Sequence, residues 1–365
     1  MRGKRRNSPE LPDASAGTPE ERRERARQDF TFFRRAYFPH YCLVGGDSRL
    51  HEWLDAELPR MADAPEGVRL AIAAPRGEAK STFVSLFFVL WAVLTGRKHY
   101  ILIIADALEQ AASLLGAVKD ELEFNEALKR DFPGAGKGHV WNVGTVVTPG
   151  NVKIQALGAG KRMRGLRHGP HRPDLIVLDD LENDGNVDKP EQRDKLQSWL
   201  QKTVLNLGAA DGSMDVVYVG TLLHYDSVLA RTLRKPLWKA RTFRSILRWP
   251  DRMDLWDEWE SLLPSRGEAE ARRFYRQHRV KMEAGAEVSW PASRPLYRLM
   301  CLRAEDREAF DSEQQNDPLS ANEAPFNGCI TFWVDRSRDW LLFGAVDPSL
   351  GKQGAGRDPS AILVG

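Results

Sequence analysis

Cysteine is scarce and scattered in this chain. Cys42, Cys301 and Cys329 are its only three in 365 residues. They are odd in number and lack metal-ligand spacing, which excludes a disulfide framework and points to a reducing, cytosolic compartment. Net charge is also lacking. The 53 Lys and Arg against 51 Asp and Glu leave only +2, so no global field draws the chain to nucleic acid and any such attraction must come from local clusters. No apolar run is long enough to cross a bilayer; the longest covers residues 83–94, and no apolar core follows the Arg-rich start as a secretory signal requires. No membrane role is expected. Internal repeats and a second phosphate-binding loop are missing too.

What is present suits a large α/β protein. The length exceeds the size at which a single core stops growing, and 42% hydrophobic residues support a packed interior. Residues 1–28 read as a basic flexible arm, either a solvated tail or a DNA contact. From Phe30 the texture changes. Phe32, Phe33, Tyr37, Phe38, Leu50, Trp53, Leu54 and Leu58 suggest helices and a place for an adenine ring. Strands are then expected over 69–73, 100–105, 152–156, 175–178 and 216–220, with helices over 81–94, 107–125 and 190–206. This alternation predicts a parallel sheet covered on both faces, with ligands at the carboxyl ends of its strands. An ATPase-like domain over 29–248 is followed by a connecting or lid subdomain over 249–338, with a helix over 268–283. Two final strands, around 340–346 and 360–364, make a hairpin too small for a core of its own.

Two segments carry the chemistry. The first, Ala74-Pro75-Arg76-Gly77-Glu78-Ala79-Lys80-Ser81-Thr82, follows a strand and opens a helix, the setting in which backbone N–H groups hold polyphosphate. Its spacing is that of a phosphate loop. Lys80 should reach the β- and γ-phosphates and Ser81 should face Mg2+, while Gly77, Glu78, Ala79 and Thr82 complete the ATP-binding stretch. Alanine stands at both glycine positions of the motif, at 74 and 79, although glycine serves where the backbone needs positive φ or close approach to a ligand. Arg76 could reach the γ-phosphate and offset charge in the transition state, or instead pair with Glu78. Glu78 places a negative charge beside the phosphates, so it is expected either to turn to solvent or to meet a cation of a neighbouring subunit.

The second segment is an aliphatic strand ending in acids: Asp179, Asp180, Glu182 and Asp184 follow Leu175 to Leu178. Carboxylates gathered at the end of a buried strand repel each other unless a cation is present. Mg2+ would resolve that conflict, with Asp179 as its anchor and Asp180 or Glu182 polarising the attacking water. Gly220-Thr221 ends a further strand and could place a hydroxyl near the γ-phosphate. The alternative is an ordinary turn in which Asp226 caps the next helix. Between Phe132 and Pro173 there is no Asp or Glu. Lys161, Arg162, Arg164 and Arg167 crowd this stretch among glycines, which suits contact with a phosphate backbone without base reading. A solvated loop is the alternative.

Read in order, PRGEAKST, GKRMRGLRHGPHRPDLIVLDDLEND, VVYVGTLLHYDSVL, FDSEQQNDP and FGAVDPSLGKQGAGRDPSAILVG resemble the large terminase subunit of tailed bacteriophages, an ATPase and nuclease that packages viral DNA. The resemblance implies a P-loop NTPase fold of the ASCE type and Mg-ATP binding at Lys80, Ser81 and Asp179. It also implies a catalytic carboxylate beside Asp179 and coupling of hydrolysis to movement at Gly220-Thr221. Double-stranded DNA, a portal protein and a small terminase subunit are the implied partners, with a homo-oligomeric ring on the portal in the host cytoplasm. It further implies that residues 339–365 begin an RNase H-like nuclease domain whose first metal ligand is Asp347; Asp358 is a poorer one. Two-metal nucleases need carboxylates from several strands, so a second divalent-metal site and nuclease activity are expected only of a longer chain, and a truncated protein is expected here. A helicase-like translocase and a remnant that binds without turnover are the alternatives.

Overall fold

The computed structural model describes residues 17–42 and 44–318, together with the backbone of 344–347 and 361–364. The chain divides into two compact units after Ser320. Residues 249–318 of the connecting region therefore belong to the first unit, with no division at 248.

The first unit is built on an eight-stranded sheet. Its strands are β1 (Arg69–Ala73), β2 (Tyr100–Ala105), β3 (Val140–Trp141), β4 (Thr145–Val147), β5 (Lys153–Gly158), β6 (Leu175–Asp179), β7 (Asp215–Gly220) and β8 (Lys239–Thr242). The order is β3-β4-β5-β2-β6-β7-β1-β8. All neighbours from β5 to β8 are parallel, and only the β3-β4-β5 end is antiparallel. β7 thus lies between the strand that leads into the phosphate loop and the strand that ends in acids.

Strand alternation explains why the central strands are continuously aliphatic. Leu175 and Val177 enter a core on one face, with Ile101, Ile103, Val217 and Val219. Ile176 and Leu178 enter the core on the other, with Leu102, Ile104, Val216 and Tyr218. Helices cover both faces, so both side-chain sets must be apolar. The helices Phe30–Tyr37, Arg49–Ala62 and Leu108–Phe124 serve the first core; Pro190–Lys202 and Val228–Leu233 serve the second. The connecting region carries a third core around Trp256, Trp259, Leu299 and Phe310.

Several sequence expectations change. Residues 17–28 do not form an arm: Thr18 caps the helix Pro19–Gln28, and its buried Arg22 donates to Asp131 at 2.7 Å. Residues 1–16 lie outside the described residues. The aromatic side chains meant for an adenine ring are interior, with Phe33 and Phe38 fully buried and Tyr37 1% exposed. The helix expected over 81–94 opens as a wide-turned π-helix, Thr82–Phe88, before Val89–Leu94 continues as α-helix. The helix expected over 190–206 ends at Lys202, and a 3-10 turn, Val204–Asn206, follows. The second unit contributes an antiparallel pair, Gly344–Asp347 with Ala361–Val364. The Asp347 side chain and Asp358 lie outside the described residues.

Candidate active site

The phosphate-loop chemistry gathers where β6, β7 and β1 end side by side. Ala73 pairs with Gly220 and Asp179 with Val219, and the Ala74 amide donates to the Gly220 carbonyl at 2.9 Å. The chain then turns through Gly77 (φ +79°) and Ala79 (φ +56°). The left-handed backbone that a phosphate loop needs is therefore present at residue 79 although alanine occupies it. Asp180 is likewise left-handed, at φ +46°, a conformation that L residues with a Cβ rarely adopt and that clusters at functional sites.

Lys80 is 7% exposed. Its ammonium donates to the Thr221 hydroxyl at 2.9 Å and lies 3.4 Å from Asp180 Oδ2. The Ser81 hydroxyl donates to Asp179 Oδ1 at 2.9 Å, and the buried Ser85 hydroxyl donates to Asp179 Oδ2 at 2.5 Å. Burial, and then the neighbouring Asp180, pushes the Asp179 carboxyl above the usual carboxylate range. A cavity of about 200 Å3 opens among Lys80, Asp180, Thr221, Asp106, Arg76 and Glu313. Lys80, Ser81, Asp179, Asp180, Gly220 and Thr221, chosen from sequence, thus meet at one place.

Others lie differently. Arg76 is 72% exposed at its side chain and pairs with Glu313 at 2.8 Å, not with Glu78; its amide also donates to the Glu313 carbonyl at 2.8 Å. Glu78 neither reaches solvent nor waits for another subunit. It is 1% exposed and accepts from the Ser289 hydroxyl at 3.3 Å, and burial raises its pKa against the lowering pull of the Ser289 hydroxyl, His51 and, least, Arg294. The Arg294 guanidinium packs over Gly77, where a Cβ would collide with it. Glu182 accepts from the amides of Val228 and Leu229 at 2.7 and 3.0 Å and from the Tyr218 hydroxyl at 3.2 Å. Ser227 caps that helix by accepting from Ala230 at 3.1 Å. Asp226 therefore does not cap it, because its carboxylate is drawn to Arg231 instead, at 2.6 and 2.8 Å.

Sequence reasoning missed Ser85, Asp106, Ser289, Arg294 and Glu313. Two of these left a signal: Ser85 is the one hydroxyl in the apolar run 83–94, and Asp106 follows a strand just as Asp179 does. Asp106 accepts from Asn183 and Asn186 at 2.5 and 3.0 Å. A second cavity, of about 210 Å3, adjoins the loop at Ala79 and Thr82 and is lined by Arg34, Asp47, His51, Phe83 and Trp290. Lys161, Arg162, Arg164 and Arg167 are all exposed, on the segment that leaves the carboxyl end of β5 and returns at β6.

The donor set fits Mg2+. A hard cation of this size takes one or two carboxylates, a hydroxyl and substrate phosphates rather than an all-protein cage. Asp179 and Ser81 would provide that pair of oxygens.

No family model matches the chain, and no curated protein does. Among solved structures, the large terminase ATPase domain of Thermus phage P74-26 overlaps 72% of this chain and 92% of its own at 15% identity and a TM-score of 0.36. An arginine-to-alanine mutant of that domain overlaps 70% and 90% at 14% identity and a TM-score of 0.35. Overlap this loose decides nothing about the chemistry, which rests on the site itself. Among the described residues no helix is long and apolar enough to cross a membrane.

Proposed function

We propose that this chain is an Mg-dependent ATPase, the motor subunit that drives double-stranded viral DNA into a procapsid. The observation that carries the ATPase reading is the convergence at the carboxyl ends of the central strands: Lys80 between Thr221 and Asp180, with Ser81 on Asp179. These are a cation for the triphosphate, an oxygen pair for the metal and an acid, Asp180, at the cavity for water. The motor reading adds the terminase-like order of motifs.

In this reading the loop amides and Lys80 bind the β- and γ-phosphates, and the cavity beside Ala79 and Thr82 takes the nucleoside. Bound Mg2+ would supply charge neutralisation on the phosphate oxygens, held by Ser81 and Asp179. Asp180 accepts a proton from the attacking water as its oxygen bonds to the γ-phosphorus and the bond to the β-phosphate oxygen breaks, releasing ADP and phosphate. Glu182 is a weaker choice for that base because both its oxygens are engaged by amides. Arg76 stands at the cavity mouth and could turn from Glu313 to the γ-phosphate. Lys161, Arg162, Arg164 and Arg167 would grip the DNA backbone or reach a neighbouring site in a homo-oligomeric ring. Portal protein, small terminase subunit and host cytoplasm belong to the same proposal.

Phosphate release with and without double-stranded DNA, for the wild type and Lys80→Ala, tests it. Release that DNA stimulates and Lys80→Ala abolishes supports a motor. Release that DNA leaves unchanged supports an ATPase without the motor, and equal release from both proteins sinks the reading.

A further inference from the structure

The phosphate-loop reading explains one hydroxyl on the Asp179 carboxylate, and the structure holds two. Ser81 reaches Oδ1 at 2.9 Å, and Ser85, one helical turn on, reaches Oδ2 at 2.5 Å. Ser85 is fully buried, and its neighbours Phe83, Val84, Leu86, Phe87 and Phe88 are buried too. A helical serine so placed usually satisfies itself by donating to the carbonyl four residues back. This one donates to the carboxylate of another element 94 residues away in sequence. It sits in the wide-turned segment Thr82–Phe88, and a π-helical stretch inside a longer helix is uncommon and often marks a functional site.

We infer that Ser85 is the positioning residue of the metal-anchoring carboxylate: its hydroxyl fixes the plane of Asp179 so that Oδ1 faces the cation. The inference rests on the phosphate-loop reading above. A buried carboxylate anchored at one oxygen can swing about its terminal torsion, which is broad for aspartate. The Oδ1 partner, Ser81, is itself expected to turn to the metal. Ser85 then remains as the bond that sets orientation, on the oxygen opposite the one Ser81 holds. Partners of this kind outside the ligand set change metal affinity by about 10- to 100-fold when removed.

The test is binding of a fluorescent ATP analogue to the full chain, in EDTA and across a Mg2+ titration, with Mn2+ binding followed by electron paramagnetic resonance. For Ser85→Ala the account expects affinity in EDTA equal to that of the wild type. The Mg2+ needed for half-saturation should rise about tenfold or more, with a matching loss of Mn2+ affinity. In an Asp179→Asn background the same change should add nothing. Metal dependence within twofold of the wild type in a folded Ser85→Ala protein overturns the inference. If that variant does not fold, Ser85→Cys, close in volume and a weaker donor, is read by the same criterion. Failure of the wild type to bind the analogue at all overturns the nucleotide reading instead, which separates the two failures.

Discussion

The Lys80 ammonium donates to the Thr221 hydroxyl at 2.9 Å, which ties the loop after β1 to the end of β7. Thr221 also donates to the Ala74 carbonyl at 3.3 Å. The next residue, Leu222, is held at both backbone groups by the connecting region: its amide donates to Asn316 at 2.9 Å and its carbonyl accepts from Ser312 at 3.0 Å. In the motor reading proposed above, a γ-phosphate that drew Lys80 away would free Thr221, the residue directly before Leu222.

Thr221→Val removes this link while keeping the shape of the side chain. A residue on a coupling path modulates coupling by about 0.5–2 kcal/mol, so DNA-stimulated kcat should fall about 2- to 30-fold, with KM for ATP changed less than about twofold. Steady-state phosphate release checks it. A raised KM at constant kcat would make Thr221 a simple binding residue.

Asp180 and Glu182 should separate cleanly. Loss of a general base costs about 100- to 10,000-fold, so Asp180→Asn should lose single-turnover hydrolysis on that scale and still bind nucleotide. Glu182→Gln weakens charge-assisted bonds to two amides at a helix start and should cost about 1–2 kcal/mol of stability, with hydrolysis nearly unchanged. Denaturation curves beside single-turnover rates give the answer, and the reverse pattern would reassign the base.

Ala79 holds positive φ at some cost to the fold. Because a left-handed residue with a Cβ costs about 1–2 kcal/mol and glycine returns part of that as chain entropy, Ala79→Gly should stabilise by about 0.5–1 kcal/mol. Gly77→Ala should do the opposite, being left-handed and pressed against Arg294. Urea midpoints of the two variants should move in opposite directions; movement in the same direction would contradict the loop geometry.

Acid should expose the Asp226 contact. Its bonds to Arg231 hold the Asp226 carboxyl down at about 2, below the ordinary value of about 3.9. A depressed folded-state pKa gives stability that is complete above the unfolded value and lost as pH falls toward the folded one. The Tm gap between wild type and Asp226→Asn should thus be constant above about pH 5 and close between about pH 4 and 2. A gap that persists at pH 2 would show that the pair contributes nothing through charge.

The sheet was legible in the sequence because strands buried on both faces must be aliphatic throughout, as 100–105, 175–178 and 216–220 are. β8 was not, because Lys239, Ala240, Arg241 and Thr242 form an exposed edge with no apolar face. Lys80, Ser81, Asp179 and Thr221 could be found since each follows a strand and their spacing is local. The place of Glu78 could not, as its partner Ser289 is 211 residues away and Arg294 further still. The setting of Glu182 was hidden for the same reason: only the fold brings the amides of Val228 and Leu229 onto it.

The most direct test of the central claim is the rate of phosphate release from ATP by the wild type and by Lys80→Ala, each with Mg2+ and double-stranded DNA. The account predicts DNA-stimulated release from the wild type and a loss of at least about 100-fold in the variant, about 2.7 kcal/mol of barrier. Equal rates would contradict it.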